Sequence, residues 1–337
     1  MIQRNEVNLH KNWQKELANV VTCPERLLEM LGLSSKVDEK DLKARSLFPV
    51  RVPLPFIKKM RYGDINDPLL LQVMPRHQEF LAKTGYDKDP LKEQDNNQPG
   101  LLHKYRSRVL VMFKTGCAVN CRYCFRRHFP YQENQLNKRS LIDALAYIKA
   151  DSNINEVILS GGDPLMAKDD AVSWFMDELE QLPQIKRLRI HSRLPVVIPA
   201  RITDELCARF AASSLKVVFI NHINHANEID DDFKAAMQKL KAVGVTLLNQ
   251  AVLLKDVNDS VESQVALSEA LFEADILPYY LHLLDKVEGA SHFDIAESQA
   301  REIVTAMLAA LPGFLVPKLV REIGGEKSKT PIDLRAC

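Results

Sequence analysis

Six short aliphatic or β-branched runs recur along the chain, with stretches of helical spacing between them. The runs are RVLVMF (108–113), EVILS (156–160), RLRIH (187–191), KVVFI (216–220), TLLNQAVLL (246–254) and PYYLHLL (278–284). Helical spacing begins at Ser140, Asp170, Thr203, Asp231 and Ser260. Thr203-Asp204-Glu205 and Ser260-Val261-Glu262 read as helix N-caps with acidic first turns. Gly244 stands where a glycine would close its helix. Strand–helix alternation at this spacing predicts parallel βαβ units. Periodicity alone leaves a doubly wound sheet and an α/β barrel, whole or partial, both open.

Polar residues gather just after the strands: a cysteine loop, then GGDP, SR, NHINH, NQ and DKVEG. Side chains converging from the ends of many strands suit a barrel mouth. An open sheet would concentrate its site at one switch point. The expected fold is therefore α/β, a barrel core over 105–312. Residues 1–104 read as an N-terminal helical segment, with short helices in WQKELANVV, PERLLEML and PLPFIKKMR, and 313–337 as a short C-terminal segment.

Of 337 residues 46% are hydrophobic, which is ordinary for a globular enzyme, and the net charge of +1 gives no global pull toward nucleic acid or anionic membrane. The longest apolar runs, such as LPVVIP, are far short of a membrane span, and the N-terminus lacks a signal-peptide core. The expected location is cytoplasmic. In a reducing compartment, clustered cysteines point to metal or catalysis and not to a disulfide frame. Cys23, Cys207 and Cys337 stand alone and read as free thiols.

Cys117, Cys121 and Cys124 form C-x3-C-x2-C directly after the first run. Three thiolates are one short of a tetrahedral site. One reading is a four-iron, four-sulfur (4Fe-4S) cluster whose fourth iron stays open for a small molecule. The other is a Cys3His zinc site completed by His128, in a module with an RNA- or protein-binding surface. Near-neutral charge and the lack of an aromatic-and-basic repeat count against such a surface. A structural zinc site usually staples a small fold, whereas this chain has a full α/β core. The next run ends in SGGDP (160–164), where glycines allow close backbone approach and Asp163 can accept from an ammonium.

At these residues the sequence resembles the radical S-adenosylmethionine (SAM) superfamily, which implies a partial (β/α)6-type barrel. There the open iron chelates SAM, and the strand end Gly161-Gly162-Asp163 meets its amino group. Within the superfamily it resembles the lysine 2,3-aminomutases from about Tyr105 to Leu334. The matching stretches include HKYRSRVLVMFKTGCAVNCRYCFRRHF, LSGGDPL, INHINHANE, LLNQAVLLKDVND, YYLHLLDKVEGASHF and VPKLVREIGGEKSKTP. The likeness is to the shorter bacterial form, which supplies β-lysine for modifying elongation factor P.

That resemblance implies a second cofactor, pyridoxal 5′-phosphate (PLP), joined to Lys329, with Lys327 as the competing position. It makes Arg108 the PLP-phosphate ligand and Arg126 the partner of the substrate carboxylate. Asp285 and Glu322 fall where lysine-specific members hold the side-chain ammonium. Ser192, Arg193, His222 and Gln250 fall at strand ends that bind SAM or PLP, and Arg122, Arg127 and His128 read as supporting or surface residues. The implied activity is conversion of L-α-lysine to β-lysine, with an external reductant such as flavodoxin or ferredoxin and a functional link to an elongation factor P lysine ligase. Glutamate or arginine is the alternative substrate; the two acids argue against an acidic one. The oligomeric state is left open.

Overall fold

A computed structural model describes residues 12–36, 39–94, 100–130 and 137–335. Cys337 lies outside the described residues. Within them a single sheet runs in sequence order. Its strands are β1 (Leu101–Tyr105), β2 (Arg108–Lys114), β3 (Glu156–Gly161), β4 (Arg187–Ser192), β5 (Lys216–His222), β6 (Thr246–Val252), β7 (Leu277–His282), β8 (Lys318–Arg321) and β9 (Thr330–Pro331). Strands β2 to β8 pair in parallel, whereas β1 and β9 pair antiparallel with their neighbours. The sheet begins at β1 and ends at β9 without closing, so the architecture is a partial barrel.

The six aliphatic runs are β2 to β7. Strand β8 adds a seventh parallel strand from the C-terminal segment, and β1 straddles the boundary expected after residue 104. Helices Lys138–Ala150, Asp169–Glu180, Asp204–Ala211, Asp231–Ala242, Val261–Glu273 and Glu297–Ala310 occupy the connections. Each buries one stripe; Val172, Phe175, Met176 and Leu179 show the i, i+3, i+4, i+7 spacing of a core-facing helix. Burying a side chain of this kind contributes about 1.5–3 kcal/mol. Thr203 and Ser260 cap as expected, accepting from the N–H groups of Leu206 and Ser263. Gly244 takes a positive φ of 82°.

The N-terminal helices Trp13–Ala18, Pro24–Met30 and Leu54–Lys58 share the barrel's hydrophobic core through Trp13, Leu27 and Phe56. The same segment grips the cysteine loop. The Asn120 N–H donates to the Arg51 carbonyl (3.0 Å), Arg51 Nε donates to the Cys117 carbonyl (2.9 Å), and the Arg122 N–H donates to the Gln72 carbonyl (2.9 Å). Among the described residues no helix is long and apolar enough to cross a membrane.

Candidate active site

The C-terminal ends of the parallel strands open into a cavity of about 1110 Å³. Cys117, Cys121 and Cys124 line it. The loop turns tightly, with the Cys124 N–H donating to the Cys121 carbonyl at 3.0 Å. Arg122 and Arg127 anchor the loop from behind, both on the buried carboxylate of Glu79, at 2.6 and 2.8 Å. Burial and the neighbouring thiolates push Cys117 well above the ordinary thiol range and Cys124 up to about 11. Thiols raised in this way ionise at neutral pH only when a cation compensates them.

The zinc reading finds no support in the geometry. His128 is half-buried, and its Nε2 lies 3.2 Å from the Glu288 carbonyl. Zinc draws four ligands to one point at about 2.0–2.3 Å. Among the described residues no three His, Cys, Asp or Glu side chains are grouped to hold one ion.

The glycines of SGGDP serve backbone packing. Gly161 has φ of 116°, and a Cβ there would lie 2.5 Å from the Lys114 carbonyl oxygen. A Cβ on Gly162 would lie 2.5 Å from that of Thr115. The end of β3 thus rests directly on the backbone feeding the cysteine loop. Asp163 is likewise engaged inside the protein. Its carboxylate accepts from Ser192 Oγ (2.8 and 3.0 Å) and from the N–H groups of Leu165 (3.0 Å), Arg193 (2.9 Å) and Leu194 (2.9 Å). Those bonds occupy the acceptor sites that an ammonium would use. Ser192 is buried against Asp163 and is not among the residues that line the cavity.

Arg193 lines the cavity and donates to Cys121 Sγ and to the Tyr123 hydroxyl, both at 2.7 Å, while Glu228 pairs with its other nitrogen at 2.9 Å. His222 and Gln250 also line it and face each other at 3.0 Å. Burial, then the charges of Arg193, Lys329 and Arg126, pull His222 down to about 3, so its ring is neutral.

Lys329 lines the cavity with its ammonium 2.6 Å from Glu322; Lys327 is exposed and is not part of the wall. Arg108 lines it too, its guanidinium 3.9 Å above the Tyr105 ring. The sequence reading missed Arg189, which pairs with Glu156 and whose buried Nε has no partner among the described residues. Arg189 and Arg108 both act on Tyr280, whose ring lies 5.8 Å from Lys329 Nζ. It also missed His191 and His282, neutral by burial, each lining the cavity with an Nε2 that has no partner among the described residues. Polar residues inside aliphatic strand runs were the available signal for all three.

Arg126 and Asp285 complete the wall. Arg126 Nε donates to Glu93 at 2.7 Å. Asp285 behaves differently: among the described residues no ion pair reaches its carboxylate, and burial followed by the Glu322 charge pushes it up to about 7. Lys329 pulls the other way.

Comparison with known proteins agrees with this geometry. The model of the Radical SAM superfamily matches residues 111–263. The chain is 56% identical to an L-lysine 2,3-aminomutase of Escherichia coli (strain K12), over 96% of this chain and 95% of that protein. The chain belongs to the L-lysine 2,3-aminomutase family. A Haemophilus influenzae protein of the same name is 55% identical over 97% of both chains. One from Clostridium subterminale is 32% identical over 95% of this chain and 77% of its own.

Membership of the radical SAM superfamily brings a 4Fe-4S cluster and SAM as cofactors. The residues fit that pair. Three half-buried thiols line the same cavity as neutral imidazoles whose Nε2 atoms have no partner among the described residues, which suit a polar, uncharged moiety.

Proposed function

We propose that this chain converts L-α-lysine to β-lysine, with PLP as a further cofactor on Lys329. One observation carries the reading: Asp285, whose carboxylate has no ion pair among the described residues, shares a cavity with Lys329 and the three cysteines. A lysine side-chain ammonium supplies the missing charge. A substrate carboxylate there would meet Asp285 and Glu322 with like charge, which argues against glutamate.

When bound, the cluster and SAM supply a 5′-deoxyadenosyl radical, and PLP supplies the carrier for a migrating amino group. The chain's own residues supply position. Cys117, Cys121 and Cys124 hold the cluster; Gly161, Gly162 and Asp163 set the strand end against that loop. His222, Gln250 and Arg193 offer polar contacts to SAM or PLP. Lys329 would hold PLP, and Arg108, joined by Arg189, would suit its phosphate, since an arginine fork matches a dianion. The orphaned Nε of Arg189 supports that fit. Arg126 takes the lysine carboxylate, Asp285 and Glu322 its ammonium.

An external reductant of the flavodoxin or ferredoxin type would feed the cluster, and a ligase would pass β-lysine to elongation factor P. The test is direct. Anaerobically reconstituted protein is incubated with lysine, SAM, PLP and dithionite, and the amino acids are separated. β-Lysine supports the reading. Turnover of glutamate or arginine with lysine untouched would overturn it.

A further inference from the structure

A chain of alternating charge runs from the cysteine loop to Lys329. Arg126, two residues after Cys124, pairs with Glu93 at 2.7 Å. The other oxygen of Glu93 lies 2.7 Å from Lys104 Nζ. Lys104 lies 3.8 Å from Glu322, whose second oxygen lies 2.6 Å from Lys329. All five side chains line the one cavity. Glu93 and Lys104 come from the segment before β2; Glu93 lies outside every matching stretch, and Lys104 stands at the head of one with no role assigned to it.

We propose that Glu93 is a positioning residue that fixes the Arg126 guanidinium for the substrate carboxylate, with Lys104 as the cation that keeps Glu93 from neutralising Arg126. The inference rests on Arg126 being the carboxylate partner. Glu93 reaches Arg126 through Nε, and Arg126 Nη1 lies 3.3 Å from both Ser160 Oγ and the Gly161 carbonyl. The guanidinium plane is thereby set by one anion and by the end of β3. An anion so close would ordinarily cancel the charge that a second carboxylate needs. Here Glu93 divides its charge between two cations, one on each oxygen. Its carboxylate is 5% exposed, so solvent does not do this in place of Lys104. Burial by itself would push Glu93 up; Arg126 and then Lys104 outweigh it and hold Glu93 as the anion, well below the usual carboxylate range. Lys104 has a second role by geometry. Once Lys329 nitrogen is committed to a cofactor, Lys104 is the cation left beside Glu322.

The test uses holoenzyme without reductant, so that binding is read and no turnover occurs. L-Lysine and L-lysinamide are titrated while the PLP absorbance is followed. Lysinamide keeps both amines and lacks the carboxylate. Glu93→Gln should weaken lysine about tenfold, a loss of one oriented charge contact, and leave lysinamide within about twofold. PLP content and the cluster spectrum should stay at wild-type levels. Lys104→Gln should show the same split, and carries the test alone if Glu93→Gln does not fold. Equal weakening of both ligands, or no weakening of lysine, overturns the proposal. Arg126→Gln separates the two levels. If it also spares lysine, the reading of Arg126 itself fails; if it selectively weakens lysine while Glu93→Gln does not, only the role of Glu93 fails.

Discussion

The ammonium of Lys329 lies 2.6 Å from the carboxylate of Glu322, on the wall of the cavity that also holds the three cysteines. Lys327, two residues earlier, is exposed. A covalent PLP lysine must reach the cofactor's aldehyde from inside the pocket, so borohydride reduction followed by peptide mapping should place the pyridoxyl group on Lys329. Label on Lys327 would mean that the C-terminal segment is threaded two residues out of step.

Replacing Cys117, Cys121 and Cys124 together by Ala should abolish iron and sulfide binding while the fold persists. The loop is held independently of the thiols, by Arg122 and Arg127 on Glu79 and by the Asn120 and Arg122 backbone bonds. His128→Ala should retain full iron content, because this ring faces the Glu288 carbonyl. Iron retained in the triple variant, or lost in His128→Ala, would reopen the choice of ligands.

Gly162→Ala probes the seat of the loop. Its Cβ would lie 2.5 Å from the Thr115 oxygen and 2.6 Å from that of Gly116, both backbone atoms with little room to yield. Overpacking of this kind costs about 1–3 kcal/mol. Chemical denaturation should show that loss, and anaerobic reconstitution should give less than wild-type iron. A variant with unchanged stability and iron would show that β3 and the loop can part without consequence.

Much of this was written in the sequence. Strands β2, β3 and β5 are mostly buried between the cavity side and the helices, so they read as near-continuous aliphatic runs, whereas β4 and β6 alternate. Strand β8 (KLVR) is four residues long and charged at both ends, too short to carry a pattern. Helix Glu297–Ala310 carries Ala300, Ile303, Val304 and Met307 at helical spacing, a signal that was present and unused. The cysteines declare themselves by spacing. Glu93 and Lys104 could not, because only folding brings them to Arg126. Arg189, His191 and His282 look like interruptions of strands until the barrel turns those positions inward. Asp163 shows the converse: its motif was legible, but its partners were not, and they turn an expected ligand contact into a structural hub.

The ammonium end of the pocket makes the sharpest claim. Asp285 sits at about 7 in the folded protein, against about 3.9 for a free side chain. Between roughly pH 4 and 7 the folded protein therefore keeps a proton that the unfolded chain has released, and this group's contribution to stability falls as pH rises through that window. An ammonium needs the ionised form, so binding lysine expels the proton. Glu322, Lys329, Glu93 and Lys104 also bear on Asp285, and all four remain in an Asp285→Asn variant. Lysine affinity, read from PLP absorbance without reductant, should thus rise with pH toward about 7 and then level in the wild type relative to Asp285→Asn. The ratio removes the pH dependence of imine formation, which both proteins share. Above the window the variant should need at least roughly tenfold more lysine, in line with about 1.5–3 kcal/mol for a charge-assisted contact. PLP loading and the cluster spectrum should not change. A ratio that stays flat with pH, or a variant that binds lysine normally, would move the ammonium pocket away from Asp285 and leave the substrate's side chain without a partner there.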